Sequence, residues 1–360
     1  MKMWGYFMNW AHSVGLFGFS FALGIILGWS SGGILGCWAA MELCSLALMP
    51  VLSGSSVSES DGALVYFCLQ AFGSFMIFLG SLFLNASAYP VSVFLSSTLL
   101  CGGLFLKLGA FPISFWVPRV MSVMSWFGCF MVSVPQKFLP LLILNETMVL
   151  TGPGGLGKML GWVEVVACIT AMSATVMSVG VKDLRVLFSF SSIIQSCFMM
   201  VVACSDFSLT LFYLLTYGVI CWGFCFSMNW LGVYSASCAS RMGKLDKEMF
   251  GFSVGCYALS FAGLPPFLGF GLKAVFIRGC VEMFPVGCTI LTLLSVVSMY
   301  FYYDIFISCV LGSWSGIYSF WVGLRSQYLL ESRIVVFFSV LIINSFGGFM
   351  FLILAGVLHM

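Results

Sequence analysis

The chain has 360 residues, 61% of them hydrophobic and 7% charged, with a net charge of +2 and a mean hydropathy of +1.12. Soluble domains carry about 25% charged residues, so there is too little polar surface here to cover a globule, which excludes soluble enzymes, nucleic-acid binders and disulfide-stapled secreted domains. At ~20–24 residues for each crossing of a ~30 Å core, the apolar stretches predict an all-α polytopic membrane protein with about eleven transmembrane helices.

In chain order the predicted spans are 10–28, 33–52, 62–84, 91–111, 120–144, 159–181, 184–204, 207–230, 250–280, 284–311 and 334–358. Neither an Arg- and Ser-rich presequence nor a short cleavable signal is expected ahead of the first. The second holds Glu42 in its middle, within CWAAMELCSLALMPVL. The fourth carries Lys107 and runs into LGAFPISFWVP, where Gly109, Pro112 and Pro118 predict a helix break. Lys137 sits in the fifth, within SVPQKFLPLL. The ninth reads FAGLPPFLGFGLKAVF, with Gly263, Pro265 and Pro266 predicting a second break ahead of Lys273. The longest polar stretches, 231–249 and 312–333, are too short to fold alone, so residues 1–360 read as a single membrane-embedded domain.

Loop charges set an orientation. Nine basic residues fall on the side of the N-terminus (Lys2, Arg119, Lys182, Arg185, Arg241, Lys244, Lys247, Arg325, Arg333), against Lys158 and Arg278 on the other. The N-terminal side is therefore expected to be the matrix or cytoplasmic one, and an odd number of spans puts the C-terminus opposite.

Redox and metal chemistry have no foothold in the pattern. The fifteen Cys are scattered singly, and the two His, His12 and His359, lie near the termini. No zinc spacing, iron–sulfur spacing, set of haem ligands or nucleotide loop is present, so no cofactor or metal is expected to bind this chain. Abundant Phe and Gly (38 and 39) suit a T- and G-rich organellar genome.

Lys107, Lys137 and Lys273 remain inside predicted spans, with Glu42 as the clear mid-span acid. Each ionisable group at the bilayer centre costs ~2.5–3.5 kcal/mol, more in total than packing alone justifies. Desolvation makes a lysine easier to deprotonate and a neighbouring carboxylate makes it harder, so a file of such groups passes protons by mutual electrostatic influence. Broken apolar segments in the two halves of a chain are also the sign of an inverted-repeat transporter. The lysines and breaks serve either a proton-translocating module or a free-standing cation/proton antiporter.

The motifs MELCSLALMPVL, LFLKLGAFPISFWVP, PQKFLPL, LRVLFSFSSI and AGLPPFLGFGLK identify the chain by resemblance. It resembles the chain 2 family of mitochondrial NADH-ubiquinone oxidoreductase, the antiporter-like membrane subunits of respiratory complex I, over essentially its whole length. The resemblance implies an antiporter fold lacking its three N-terminal helices, and a multi-pass place in the mitochondrial inner membrane. It implies proton translocation coupled to electron transfer from NADH to ubiquinone, with NADH, FMN, iron–sulfur clusters and ubiquinone handled by other subunits. It makes Glu42, Lys107, Lys137 and Lys273 the proton relay. A chain 4L neighbour is implied near Glu42, a chain 4 neighbour near Lys273, and phospholipids around the bundle. Three positions depart from the family pattern: Ser114 and Gln195 stand where a His is usual, and Arg119 where an acid is. These departures remove accessory titratable groups and leave the lysines in place.

Overall fold

With no water to satisfy it, backbone in a bilayer must bond to itself, and the chain answers with helices. The computed structural model describes residues 2–54, 56–86, 90–150, 152–181, 183–231, 254–265, 267–313, 344 and 347, with no strand among them. The helices are α1 (Lys2–Ser30), α2 (Ile34–Leu52), α3 (Val57–Ala86), α4 (Pro90–Leu108), α5 (Trp116–Val123), α6 (Trp126–Ser133), α7 (Phe138–Leu150), α8 (Gly152–Ser178), α9 (Leu184–Ser205) and α10 (Phe207–Leu231). They continue with α11 (residues 254–262), α12 (Leu268–Cys280) and α13 (Pro285–Ser313). Seven stretches among the described residues are long and apolar enough to cross a membrane, the run from Trp126 to Met148 through α6 and α7 being one.

Local chemistry sets several boundaries. Ser56 and Glu59 start α3 with a reciprocal cap: the Ser56 hydroxyl accepts the Glu59 N–H and the Glu59 carboxylate accepts the Ser56 N–H, both at 3.2 Å. Residues 120–144, read above as one span, are instead α5, α6, a 3₁₀ turn and most of α7. Met124 is extended, and Ser125 starts a new helix by accepting the Gly128 N–H at 3.3 Å. The 250–280 span is likewise two helices, α11 and α12. Pro118 breaks nothing: it is the third residue of α5, where the missing N–H has no helical partner to lose. The span 334–358 and the polar stretches 231–249 and 312–333 fall almost wholly outside the described residues.

Packing centres on α9, whose apolar stretch is 94% buried against 39% for that of α8. Its interior hydroxyls are satisfied by their own helix: Ser189, Ser191, Ser192 and Ser196 each donate to a carbonyl three or four residues back. The helices α3 and α4 meet through small residues, as apolar helices do where lipid offers no hydrophobic drive. A Cβ at Gly103 would sit 2.6 Å from the Gly73 carbonyl, and one at Gly80 2.9 Å from the Leu100 nitrogen. That contact brings the end of α4, with its lysine, deep between α2 and α3.

Candidate functional site

The helices α4 and α11 end in the same way, each at a glycine. Gly109 has φ +75°, its N–H bonds the Leu106 carbonyl at 3.2 Å, and the Ala110 N–H bonds the Phe105 carbonyl at 2.7 Å. Gly263 also has φ +75°, its N–H bonds Ser260 at 3.0 Å, and the Leu264 N–H bonds Leu259 at 3.3 Å. This crossed pair is the Schellman cap, which needs the left-handed conformation that glycine takes without strain. Residues 109–115, and 263–265 with 267, then run non-helically ahead of α5 and α12; Pro112 and Pro265 lie within these stretches, and Pro266 is outside the described residues.

Lys107 occupies the last turn of α4, two residues before its glycine. Its Nζ stands 3.5 Å from Glu42 Oε1 on α2, and the two side chains are 3% and 26% exposed. The lysine stem lies on Gly73, where a Cβ would come 3.1 Å from Lys107 Cγ. Lys137 closes the 3₁₀ turn Pro135–Lys137 between α6 and α7, and Pro135 leads that turn because its first N–H needs no partner. The Lys137 amine donates to the Ser192 carbonyl of α9 at 2.6 Å and lies 5.9 Å from the Tyr217 ring centre. Lys107, Lys137 and Ser192 line one cavity of about 10 Å³, close to the smallest space that admits a water.

Lys273 is held at its own break. Ala262 ends α11, so its carbonyl has no helical partner, and the Lys273 amine donates to it at 2.5 Å. Aromatic rings fill the ground between Lys137 and Lys273. Tyr217 lies 6.4 Å from Phe261, and Phe261 packs on Phe224 at 5.5 Å and Tyr302 at 5.8 Å. The structure thus joins Glu42, Lys107 and Lys137 into one connected group and sets Lys273 behind an aromatic wall. Gln195, one of the departures noted above, accepts the Tyr213 hydroxyl at 2.5 Å. Ser114 is buried and Arg119 exposed.

A break at membrane depth is tolerated only against protein or a water-filled cavity, yet among the described residues these breaks turn outward. Phe111 is 39% exposed, Ile113 39% and Phe115 55%, and Pro112 and Pro265 are exposed too. The caps consume the break carbonyls nearest the core, so the remaining loop is left with apolar side chains and, among the described residues, no further helix to pack on.

Three polar contributors were not visible beforehand. Glu164, within α8, accepts the Gly287 N–H of the first turn of α13 at 2.5 Å, pinning two apolar helices through a carboxylate at a positive helix end. Gln136 donates to the Tyr66 hydroxyl at 2.6 Å, and Gln70 is 1% exposed. An acid near the start of the 159–181 span was the available signal for Glu164. Glu164→Gln keeps the shape but weakens the charge-assisted bond, and is expected to cost ~1–2 kcal/mol. A fall of several degrees in the apparent melting temperature of the detergent-extracted assembly checks this; an unchanged midpoint would dismiss the clamp.

The family model for the NADH:quinone oxidoreductase/Mrp antiporter transmembrane region matches residues 31–301. NADH-ubiquinone oxidoreductase chain 2 of Artemia franciscana is 30% identical over 283 residues, 78% of this chain and 85% of that one. The same subunit of Lumbricus terrestris is 28% identical over 281 residues, covering 78% and 81%. Among solved structures, a chain of respiratory complex I from Thermus thermophilus superposes with a TM-score of 0.72 at 21% identity, over 82% of this chain and 70% of that one. A chain of the Mrp complex from Dietzia sp. gives 0.67 at 16% identity, over 80% and 59%.

Proposed function

Because the chain belongs to the NADH:quinone oxidoreductase/Mrp antiporter transmembrane family, we propose that it works as a proton-translocating membrane subunit of respiratory complex I, of the chain 2 type. The observation that carries the mechanism is the line from Glu42 to Lys107 at 3.5 Å, and from Lys107 through a shared cavity to Lys137. With Glu42 ionised, the Lys107 ammonium is held on its carboxylate. A proton arriving at Glu42 from its exposed side removes that charge, and the ammonium is then free to give its proton through the cavity towards Lys137. Lys137, neutral when the proton reaches it, takes it up and holds it as an ammonium against the Ser192 carbonyl, and the aromatic wall delays onward transfer to Lys273. The chain supplies no redox group in this reading; NADH oxidation and ubiquinone reduction take place in other subunits, and the relay is coupled to them by charge.

The same reading assigns residues 1–360 to one domain in the mitochondrial inner membrane, with the N-terminus in the matrix, the C-terminus in the intermembrane space, and phospholipids around the bundle. Irregular backbone does not face lipid at membrane depth, so neighbouring subunits cover the outward-facing breaks: a chain 4L near the quarter-exposed Glu42 and a chain 4 near Lys273.

Purifying the native assembly through a tag on this chain tests the proposal. The material should oxidise NADH with a quinone acceptor and drive proton uptake in sealed vesicles. Recovery of the chain without NADH oxidation, together with sodium–proton exchange by the chain alone, would favour the free-standing antiporter instead.

A further inference from the structure

Lys107 borders two cavities. The first leads to Lys137; the second, of about 20 Å³, is lined among others by Ser45, Gln70, Gln136 and Lys107. Four polar side chains around one small space inside an apolar bundle need a reason, because each costs free energy to bury unpaired. Two of them carry complementary unmet groups. The Gln70 side-chain nitrogen, a donor, and the Gln136 side-chain oxygen, an acceptor, are both buried without a hydrogen-bond partner among the described residues.

Their placement follows from the fold. Tyr66 and Gln70 are four residues apart on α3 and share a face. The Tyr66 hydroxyl accepts from Gln136 at 2.6 Å and anchors the far end of that amide. Gln136 immediately precedes Lys137 on the 3₁₀ turn, so neighbouring residues of one turn line the two cavities that flank Lys107. The volume holds a single water comfortably, and a buried water needs two to four polar partners. A water here accepts from Gln70, donates to Gln136, accepts from the Lys107 ammonium, and has its second hydrogen for the Ser45 hydroxyl oxygen.

We propose that Gln70 and Gln136 hold water against Lys107 in this cavity, making it a second resting place for the ammonium when Glu42 is protonated. The inference rests on the relay reading above and adds positioning residues to it. A lysine with one acceptor shuttles only between that acceptor and the neutral form. With a neutral, fully bonded water site alongside, it remains charged after leaving Glu42, and the transfer to Lys137 separates into two steps.

Two measurements on the intact complex decide it. A density map fine enough to show water should contain a peak within hydrogen-bond distance of both amides; a direct amide–amide contact, or no peak, overturns the proposal. Gln70→Leu removes the donor and should lower NADH-linked proton uptake about tenfold, with the alkaline limb of the pH profile moved down by roughly one unit, the same factor expressed as proton affinity. A variant that pumps with the wild-type pH profile while Lys107→Met fails to pump would end the water site and leave the relay standing. If Lys107→Met pumps normally too, the relay itself is wrong. Should Gln70→Leu not assemble, the density map of the wild-type complex settles the matter alone.

Discussion

In vesicles containing the intact complex, Lys107→Met is expected to cut proton uptake at least tenfold per assembled copy and to slow NADH oxidation with it. Positioned proton-transfer groups contribute ~10²–10⁴-fold, and Met keeps the stem that packs on Gly73 while deleting the group that titrates. The replacement also orphans Glu42. Glu42 is a quarter exposed, so leaving it charged and alone costs less than the ~3–5 kcal/mol of a fully buried pair, and some loss of assembly is expected as well. The double replacement Lys107→Met with Glu42→Gln separates the two effects: it should recover assembly, because no lone charge remains, and should still not pump. Recovery of pumping in the double variant would mean that the pair is only structural.

The second large effect is expected at Gly263→Ala. A non-glycine residue in the left-handed region costs ~1–2 kcal/mol, and a Cβ there would lie 2.7 Å from the Lys273 amine. The amine must then leave the Ala262 carbonyl, losing a hydrogen bond to a charged group worth about 1.5–3 kcal/mol. Assembled complex should decline on native gels, and pumping per remaining copy should decline too. Gly109→Ala is the control. Its backbone strain is the same, but its Cβ meets Val117 Cγ2 at 2.6 Å rather than a lysine amine. It should lose abundance and keep pumping per copy. Equal pumping by both variants would detach Lys273 from the relay.

What could be read from the chain and what could not divides along sequence separation. The breaks at Gly109 and Gly263 were legible because a left-handed glycine with proline close behind is local chemistry. Glu42 and the three lysines stood out because a charge inside an apolar run is conspicuous wherever it packs. Pro118 misled for the converse reason: a proline is a break or a helix start depending on where its helix begins, and α5 begins only two residues earlier. The 120–144 span was split by Ser125, a single residue acting as a cap. Glu164 and its Gly287 partner are 123 residues apart, and Gln136 and Tyr66 are 70 apart; neither pairing exists until the bundle has formed. The outward turn of Phe111 and Phe115 was hidden as well, since it depends on what fails to pack against them.

The way Gly73 of α3 supports the stem of Lys107 has a consequence on the time axis. Because the stem is seated against Gly73 at its Cγ, the amine pivots about the bonds beyond that atom, a swing that covers the few ångströms from carboxylate to either cavity. Freely exposed side chains change rotamer in picoseconds to nanoseconds, and collective or gating motions take microseconds to milliseconds. A short pivot, even slowed severalfold by burial, is far quicker than the latter. The clock of this segment is therefore set by the arrival of charge at Glu42 and by the rearrangement of rings around Phe261, while the lysine re-equilibrates many times within each cycle.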